Sequence, residues 1–178
     1  MNERLPRIAI THGDPNGIGY EVILKTLEDN RILELCTPVL YGSQKLAGQY
    51  RKLLNMPNIP MTHIPDASQL REGACHIINV VPEEFKAEPG NATPQAGEAA
   101  LAALERAVAD LKAGLVDAIV TAPICKSTIQ TDSFHFPGHT EYLEARMNDD
   151  CDEDDEKQHS LMILCNDRLR VALATTHL

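Results

Sequence analysis

Short apolar segments alternate with amphipathic helical segments along most of this 178-residue chain. Residues 7–11 predict a strand, and turn-forming residues then lead into a helix that begins at Gly19. A second strand over residues 38–42 is followed by a helix that Ser43 caps. Consecutive strand–helix units predict a parallel sheet with right-handed crossovers, which places the fold in the α/β class.

The most regular helical pattern begins with Thr93 as N-cap and Pro94 at the first helical position, and it ends at Gly114. Residues 116–121 follow as a mostly apolar run, typical of a strand buried on both faces of a parallel sheet. The side chains expected to face the core in this helix and the two before it are Val22, Ile23, Leu27, Leu46, Leu53, Leu54, Leu101, Leu104, Val108 and Leu111.

The remaining segments continue the pattern less regularly. Residues 76–81 predict another strand, and residues 82–91 read as a connection. In the last third, a Pro-Gly turn precedes a helix predicted from about Glu141. Two β-prone segments, 161–165 and 169–174, are joined by a short polar turn and predict a hairpin.

The charge and cysteine content exclude several classes of protein. With 26 acidic and 16 basic residues the net charge is −10, which disfavours binding to nucleic acid or to anionic membranes. Much of the acidity lies within residues 148–159, where mutual repulsion predicts a solvated surface loop. Five cysteines without a CxxC pair indicate a reducing cytoplasm. The sequence shows neither a leader peptide nor an apolar stretch of the roughly 20 residues that a membrane helix needs.

Polar clusters follow three predicted strands, at residues 12–16, 121–126 and 175–177. Ligands of open α/β sheets gather at this edge. In the first cluster, glycines let the backbone approach a ligand and the next helix N-terminus attracts anions, so Asp14 and Asn16 are candidates for an anion-binding loop. The alternative is a tight turn that Asp14 or Asn16 caps. The spacing matches neither the dinucleotide-binding fingerprint nor the Walker A loop.

Four further side chains are candidates for ligand contacts. Lys126, just past a strand end, could reach a phosphate or carboxylate, although a plain surface lysine is the alternative. His139 and Thr140 begin a helix after the Pro-Gly turn and could donate to a phosphate. A helical metal pair with His135 is improbable because proline and glycine intervene. His177 ends a strand, as a ligand or as a hydrogen-bonded structural histidine.

Four strings in order resemble the 4-hydroxythreonine-4-phosphate dehydrogenase family. They are Ile-Thr-His-Gly-Asp-Pro-Asn-Gly-Ile-Gly at 10–19, Asp-Ala-Ile-Val-Thr-Ala-Pro-Ile-Cys-Lys at 117–126, Pro-Gly-His-Thr-Glu-Tyr-Leu at 137–143, and Leu-Arg-Val-Ala-Leu-Ala-Thr-Thr-His at 169–177. The resemblance spans nearly the whole chain but only about the first half of the family's usual length. Tyr20 departs from it, since many members have proline there, and the acidic run looks like an insertion.

The resemblance implies a fold similar to the isocitrate and isopropylmalate dehydrogenases, with two three-layer α/β/α lobes around a cleft. Residues 1–125 would form the first lobe, and residues 126–178 would begin the second, leaving the fold incomplete. The family works as a homodimer with a shared active site. It binds NAD or NADP without the usual fingerprint and uses a divalent metal such as Zn, Mg or Co.

The implied reaction is the oxidation of 4-phosphohydroxy-L-threonine at C3, followed by decarboxylation to 3-amino-2-oxopropyl phosphate in pyridoxal phosphate biosynthesis. His139 and Thr140 match the family's substrate-binding pair, and His177 matches its first metal-binding histidine. Its other metal ligands lie downstream of Leu178, so this chain alone is expected to be inactive. Two alternatives stay open: a dehydrogenase for phospho-threonate or phospho-erythronate, and a shortened, non-catalytic protein that binds phosphorylated metabolites.

Overall fold

Five parallel strands form the sheet of the first part of the chain. The computed structural model describes residues 4–131, 134–150 and 157–174. The chain divides into two compact units, Met1–His135 and Phe136–Leu178. In the first unit the strands lie in the order β3-β4-β2-β1-β5, and every pairing is parallel. Their bounds are β1 Arg7–Thr11, β2 Thr37–Gly42, β3 Thr62–His63, β4 His76–Asn79 and β5 Ala118–Thr121.

Helices cover both faces of this sheet. They are α1 Gly19–Leu27, α2 Gln44–Leu53, α3 Pro94–Lys112 and the short α4 Lys126–Ile129, with 3-10 turns at Asn30–Glu34 and Ala67–Gln69. Ile10 of β1 and Leu40 of β2 pack with α1 and α2, whereas Ala9 and Val39 pack with α3. Because successive strand residues point to opposite faces, one sheet supplies both cores. The predicted α/β class and its three layers are confirmed, and the bounds of α3 agree with the prediction to within two residues.

Three predictions about buried faces were wrong. Val22 of α1 and Leu53 of α2 are 49% and 65% exposed; α2 buries Leu46, as predicted, and also Tyr50. β5 is not buried on both faces: it pairs only with β1 among the described residues, and Val120 is 53% exposed. Val120 lies beside Ile10 in the sheet, but the core formed with α1 and α2 includes Ile10 and not Val120. An apolar run in the sequence cannot indicate whether a helix covers it.

The second unit contains one helix and one hairpin. Its elements are α5 His139–Met147, β6 Met162–Cys165 and β7 Arg170–Leu173, and the two strands pair antiparallel as predicted. The helix begins two residues before the predicted start, directly after Gly138. Tyr142 packs edge-on against Phe136, and the Arg146 guanidinium lies over both rings.

The ends of the predicted acidic loop are tied together, although residues 151–156 lie outside the described part of the chain. The Asn148 amide donates to the Gln158 carbonyl and accepts from its backbone N–H, each at 2.8 Å. Glu144 accepts hydrogen bonds from the Ser160 hydroxyl at 2.6 Å and from the Ser160 N–H at 2.7 Å, and these bonds lower the pKa of the Glu144 carboxyl. None of the described helices combines the length and apolar character needed to span a bilayer.

Candidate ligand site at the carboxyl edge of the sheet

The loops after β1 and β5 lie next to each other at the carboxyl edge of the sheet. From β1 the chain goes to β2 on one side and later places β5 on the other. Such a reversal of strand order opens a crevice where open α/β sheets bind their ligands. Two of the three predicted polar clusters, residues 12–16 and 121–126, follow these two strands. The third, residues 175–177, lies outside the described residues.

The loop from His12 to Gly19 is a tight turn that packs on the loop after β5. Asp14 Oδ1 accepts the Asn16 N–H at 2.8 Å, and the Asp14 N–H donates to the Pro123 carbonyl at 2.9 Å. Gly13 has φ +66°, and a Cβ there would overlap the Pro123 carbonyl oxygen. These contacts support the tight-turn interpretation, with Asp14 as the capping residue. The role of this loop in binding anions stays a prediction.

Asn16 joins the turn to the segment before α3. It is buried, and its side-chain Oδ1 accepts the Glu88 N–H at 2.7 Å. Its Nδ2 donates to the Asn91 carbonyl at 2.8 Å and to the Thr93 hydroxyl at 3.2 Å. The Asn16 carbonyl also accepts the Gly90 N–H at 2.8 Å. Asn16 therefore uses its amide to hold the connection and the N-cap of α3 against the loop, in addition to any contact with a ligand.

His12 belongs to the first predicted polar cluster but was given no role there, and the structure buries it between the end of β1 and α3. Its side chain is fully buried, and Nε2 lies 3.1 Å from the Ala99 carbonyl oxygen of α3. Burial lowers the pKa of His12 from 6.5 to about 4, so the imidazole is neutral at physiological pH. Nε2 must carry the proton because a carbonyl can only accept. Nδ1 has no hydrogen-bond partner among the described residues. The signal in the sequence that could have indicated this role is that a polar residue directly follows a buried strand.

Lys126 is exposed at the start of α4 and forms no ion pair with another residue in the described ranges. Just before it, the Cys125 sulfur lies 3.2 Å from the Ser127 hydroxyl. Hydrogen bonds from the Ser127 and Thr128 side chains lower the pKa of this thiol. Lys126 is thus free to reach a ligand beyond the strand ends, and its role stays a prediction.

His139 and Thr140 are the first two residues of α5, in the second unit. Gly138, the N-cap, makes no side-chain cap hydrogen bond, and a helix N-terminus is a position that favours an anion. His139 is half-buried, its burial lowers its pKa, and its Nε2 has no partner among the described residues. A neutral histidine and a threonine at a helix N-terminus can both donate to a phosphate.

His177, the predicted metal ligand, lies outside the described residues. Within residues 4–131, 134–150 and 157–174, no three His, Cys, Asp or Glu side chains come together as metal ligands. The described residues alone therefore do not fit a metal centre, and His177 stays a prediction.

The fold and the site define the class of this protein. It is an open-sheet α/β protein with polar loops at the topological switch point, after β1 and β5. A family model described as pyridoxal phosphate biosynthetic protein PdxA matches residues 34–178. The chain belongs to the PdxA family, and the resemblance found in the sequence is thereby confirmed.

Curated relatives and solved structures agree with this assignment. The chain is 48% identical to a 4-hydroxythreonine-4-phosphate dehydrogenase of Bacteroides thetaiotaomicron, over 100% of this chain and 47% of the relative. It is 33% identical to a D-threonate 4-phosphate dehydrogenase of Cupriavidus necator, over 100% of this chain and 51% of the relative. A crystal structure of 4-hydroxythreonine-4-phosphate dehydrogenase from Burkholderia phymatum matches with a TM-score of 0.82 and 30% identity, over 99% of this chain and 51% of that one. The chain spans about half the length of these relatives.

Proposed function

We propose that this chain is the N-terminal half of a dehydrogenase that oxidises 4-phosphohydroxy-L-threonine. A hydride passes from C3 to NAD or NADP and the C3 hydroxyl loses its proton, which leaves a β-keto acid. Loss of carbon dioxide then gives 3-amino-2-oxopropyl phosphate for pyridoxal phosphate biosynthesis. The observation that carries this proposal is the 48% identity, along the whole chain, to a relative with that name.

His139 and Thr140 would hold the substrate. Nε2 of His139 is without a partner among the described residues, and both residues begin α5. With a lowered pKa, the imidazole is neutral and offers one N–H donor rather than a positive charge. The recognition of a phosphate would therefore rest on hydrogen bonds and on the helix N-terminus.

The remaining parts of the proposal concern groups outside the described residues. His177 would be one ligand of a divalent metal, Zn, Mg or Co, which would polarise the oxygen at C3. A homodimer with a shared active site and a cytoplasmic location complete the proposal. The free thiols of Cys36, Cys75, Cys125 and Cys165 support a reducing compartment.

A second candidate is a dehydrogenase for D-threonate 4-phosphate or a related phosphorylated hydroxy acid. The Cupriavidus necator relative, named for that substrate, favours it at 33% identity. The two substrates share the phosphate and the C3 hydroxyl and differ in the amine or hydroxyl at C2. A shortened protein that binds phosphorylated metabolites without turnover is the third candidate.

Binding and turnover separate these candidates. The 178-residue chain is titrated by calorimetry with 4-phosphohydroxy-L-threonine, D-threonate 4-phosphate and inorganic phosphate. We expect the first to bind most tightly and His139→Ala to weaken binding by roughly tenfold, equivalent to one lost hydrogen bond. The control is His63→Ala, an exposed histidine on β3. Tighter binding of D-threonate 4-phosphate would make that compound the favoured substrate. Unchanged binding by His139→Ala would show that His139 does not hold the substrate.

Turnover is measured with the complete polypeptide that the gene encodes, supplied with NAD or NADP and a divalent metal. His177→Ala should abolish metal-dependent turnover, while the 178-residue chain alone should show none. Turnover by the 178-residue chain would contradict the proposal that it is half of an enzyme. Binding without turnover by the complete polypeptide would favour the non-catalytic candidate.

A further inference from the structure

The turn after β1 contains the only Asn-Gly pair of the chain, Asn16-Gly17. Such a pair is chemically labile because the backbone nitrogen of the second residue can attack the side-chain carbonyl carbon of the asparagine. Glycine promotes this attack, since it has no Cβ to hinder the approach and adopts backbone conformations that other residues avoid. Asn16 is also the residue that holds the loop of the candidate site to the segment before α3. A reaction at Asn16 therefore acts on that link.

In the folded chain both reacting groups of this pair are engaged in hydrogen bonds. The Gly17 N–H donates to the Asp14 carbonyl at 3.0 Å. The Asn16 carboxamide is buried, and its oxygen and nitrogen both bond to residues 88–93. The attack needs a Gly17 nitrogen that has lost its proton and a carboxamide that can turn towards it. The native contacts therefore hold the reaction back.

The segment that holds the carboxamide is irregular. Residues 80–93, the connection between β4 and α3, are described throughout and contain neither helix nor strand, and most of residues 82–92 are exposed. Exposed segments with few buried contacts open at a lower free energy than the strands and helices of a core. When the connection opens, the carboxamide is released while the sheet stays folded. Asn16 then becomes reactive without global unfolding.

We propose that Asn16 is a site of spontaneous deamidation and that opening of residues 80–93 sets its rate. The Gly17 nitrogen gives its proton to water and forms a bond to Cγ of Asn16, while Nδ2 takes up a proton and leaves as ammonia. The product is a five-membered succinimide ring. Water then adds to one of the two ring carbonyl carbons and opens the ring, which leaves aspartate or isoaspartate at position 16. Water is the co-reactant, and no group is oxidised or reduced.

Either product removes the donors that hold the connection. The Asn91 carbonyl and the Thr93 hydroxyl each lose an N–H of Nδ2. A carboxylate can only accept, so it cannot bond to the Asn91 carbonyl. Its charge also lies close to Asp14, whose Oδ1 accepts the Asn16 N–H at 2.8 Å, and the two negative charges repel. Because the reaction weakens this link, a deamidated chain keeps its connection open for more of the time.

The test compares the native 178-residue chain with the same chain unfolded in urea, both at mildly alkaline pH. Peptide mass spectrometry follows the loss of the amide at position 16, and the fragment ions distinguish aspartate from isoaspartate. We expect both products in each state, with the native chain reacting at least about tenfold more slowly, because opening breaks more than one hydrogen bond. Equal rates would show that the native contacts do not protect Asn16. An unreacted Asn16 in the unfolded chain would overturn the assignment of the site.

Matched variants separate opening of the connection from global unfolding. Thr93→Ala removes one bond to Asn16 and the N-cap of α3, so it should speed the native reaction roughly two- to tenfold. Tyr41→Phe removes a buried hydrogen bond to Asp110, near the other end of α3, and should leave the rate close to that of the wild type. Equal acceleration by the two variants would show that global unfolding, rather than the connection, sets the rate.

Two further variants test the chemistry and its consequence. Gly17→Ala should suppress the reaction in both states because the added Cβ hinders the attack, and the turn has room for it, since its nearest neighbour is the Asp14 carbonyl oxygen at 3.4 Å. Asn16→Asp reproduces one product and should unfold at a lower urea concentration than the wild type. A Gly17→Ala chain that reacts as fast as the wild type would refute attack by this nitrogen. Unchanged unfolding of Asn16→Asp would refute the loosening of the connection.

Discussion

Acidification should destabilise the first unit through His12, which is fully buried at the end of β1. Its pKa is about 4 in the folded chain, because burial disfavours the charged imidazolium, and 6.5 is the ordinary value in an unfolded one. Above about pH 6.5 neither state binds a proton at His12, so this residue adds no pH dependence.

Between those two pKa values the unfolded chain binds a proton and the folded chain does not. The free energy of unfolding must therefore fall as the pH falls. Taking the two pKa values above, lowering the pH from about 7 to about 5 removes about 2 kcal/mol through His12 alone. Below about pH 4 both states are protonated and the contribution levels off at a loss of roughly 3 kcal/mol.

The variant His12→Gln isolates this effect, because an amide can still donate to the Ala99 carbonyl but does not titrate in this range. Urea unfolding followed by tyrosine fluorescence suits a chain with four tyrosines and no tryptophan. We expect His12→Gln to be less stable than the wild type at neutral pH but to lose about 2 kcal/mol less on acidification to about pH 5. Equal losses in the two proteins would refute the reasoning that His12 stays neutral in the fold.

Three substitutions and one control variant test the packing of the first unit by the same unfolding assay. Gly13→Ala should lower the free energy of unfolding by more than about 2 kcal/mol, because φ is positive there and the added Cβ would overlap the Pro123 carbonyl oxygen. The control Gly48→Ala, on α2 with open space around it, should instead stabilise by about 0.5–1 kcal/mol. Similar effects of the two variants would contradict the close approach of Gly13 to Pro123. Asn16→Ala should cost about 2–3 kcal/mol and speed proteolysis of the connection before α3, and unchanged proteolysis would count against its role. Tyr41→Phe should lower the free energy of unfolding by about 1–3 kcal/mol, because Asp110 loses the buried Tyr41 hydroxyl that donates to it at 2.6 Å. No change in stability would mean that water replaces this hydroxyl as donor.

The sequence predicted the elements whose signals are local. The N-cap Thr93 accepts the Ala96 N–H, and α3 ends at Lys112, two residues before the predicted end at Gly114, which has φ +69°. Ser43 likewise accepts the Leu46 N–H at the start of α2. Capping depends on residues three or four positions apart, so a single sequence contains the necessary information.

What could not be predicted depends on distant partners. Asn16 bonds to residues 72 to 77 positions away, and His12 to a carbonyl 87 positions away. The exposure of Val120 is set by which helices cover β5, not by its neighbours in sequence. The elements follow from local patterns, whereas the surroundings of each site residue follow from the topology.

The contacts of Asn16 also predict how this region varies in evolution. Three of its five hydrogen bonds go to backbone groups of residues 88, 90 and 91. Residues of any type can supply these groups at 88 and 91, whereas the φ of +85° at Gly90 favours glycine. The side chains at 88 and 91 are thus free to change, while the carboxamide at position 16 needs both its oxygen and its nitrogen. Among descendants of this sequence we expect an invariant asparagine facing a connection that varies at positions 88 and 91, so that this connection can acquire new side chains without losing its place.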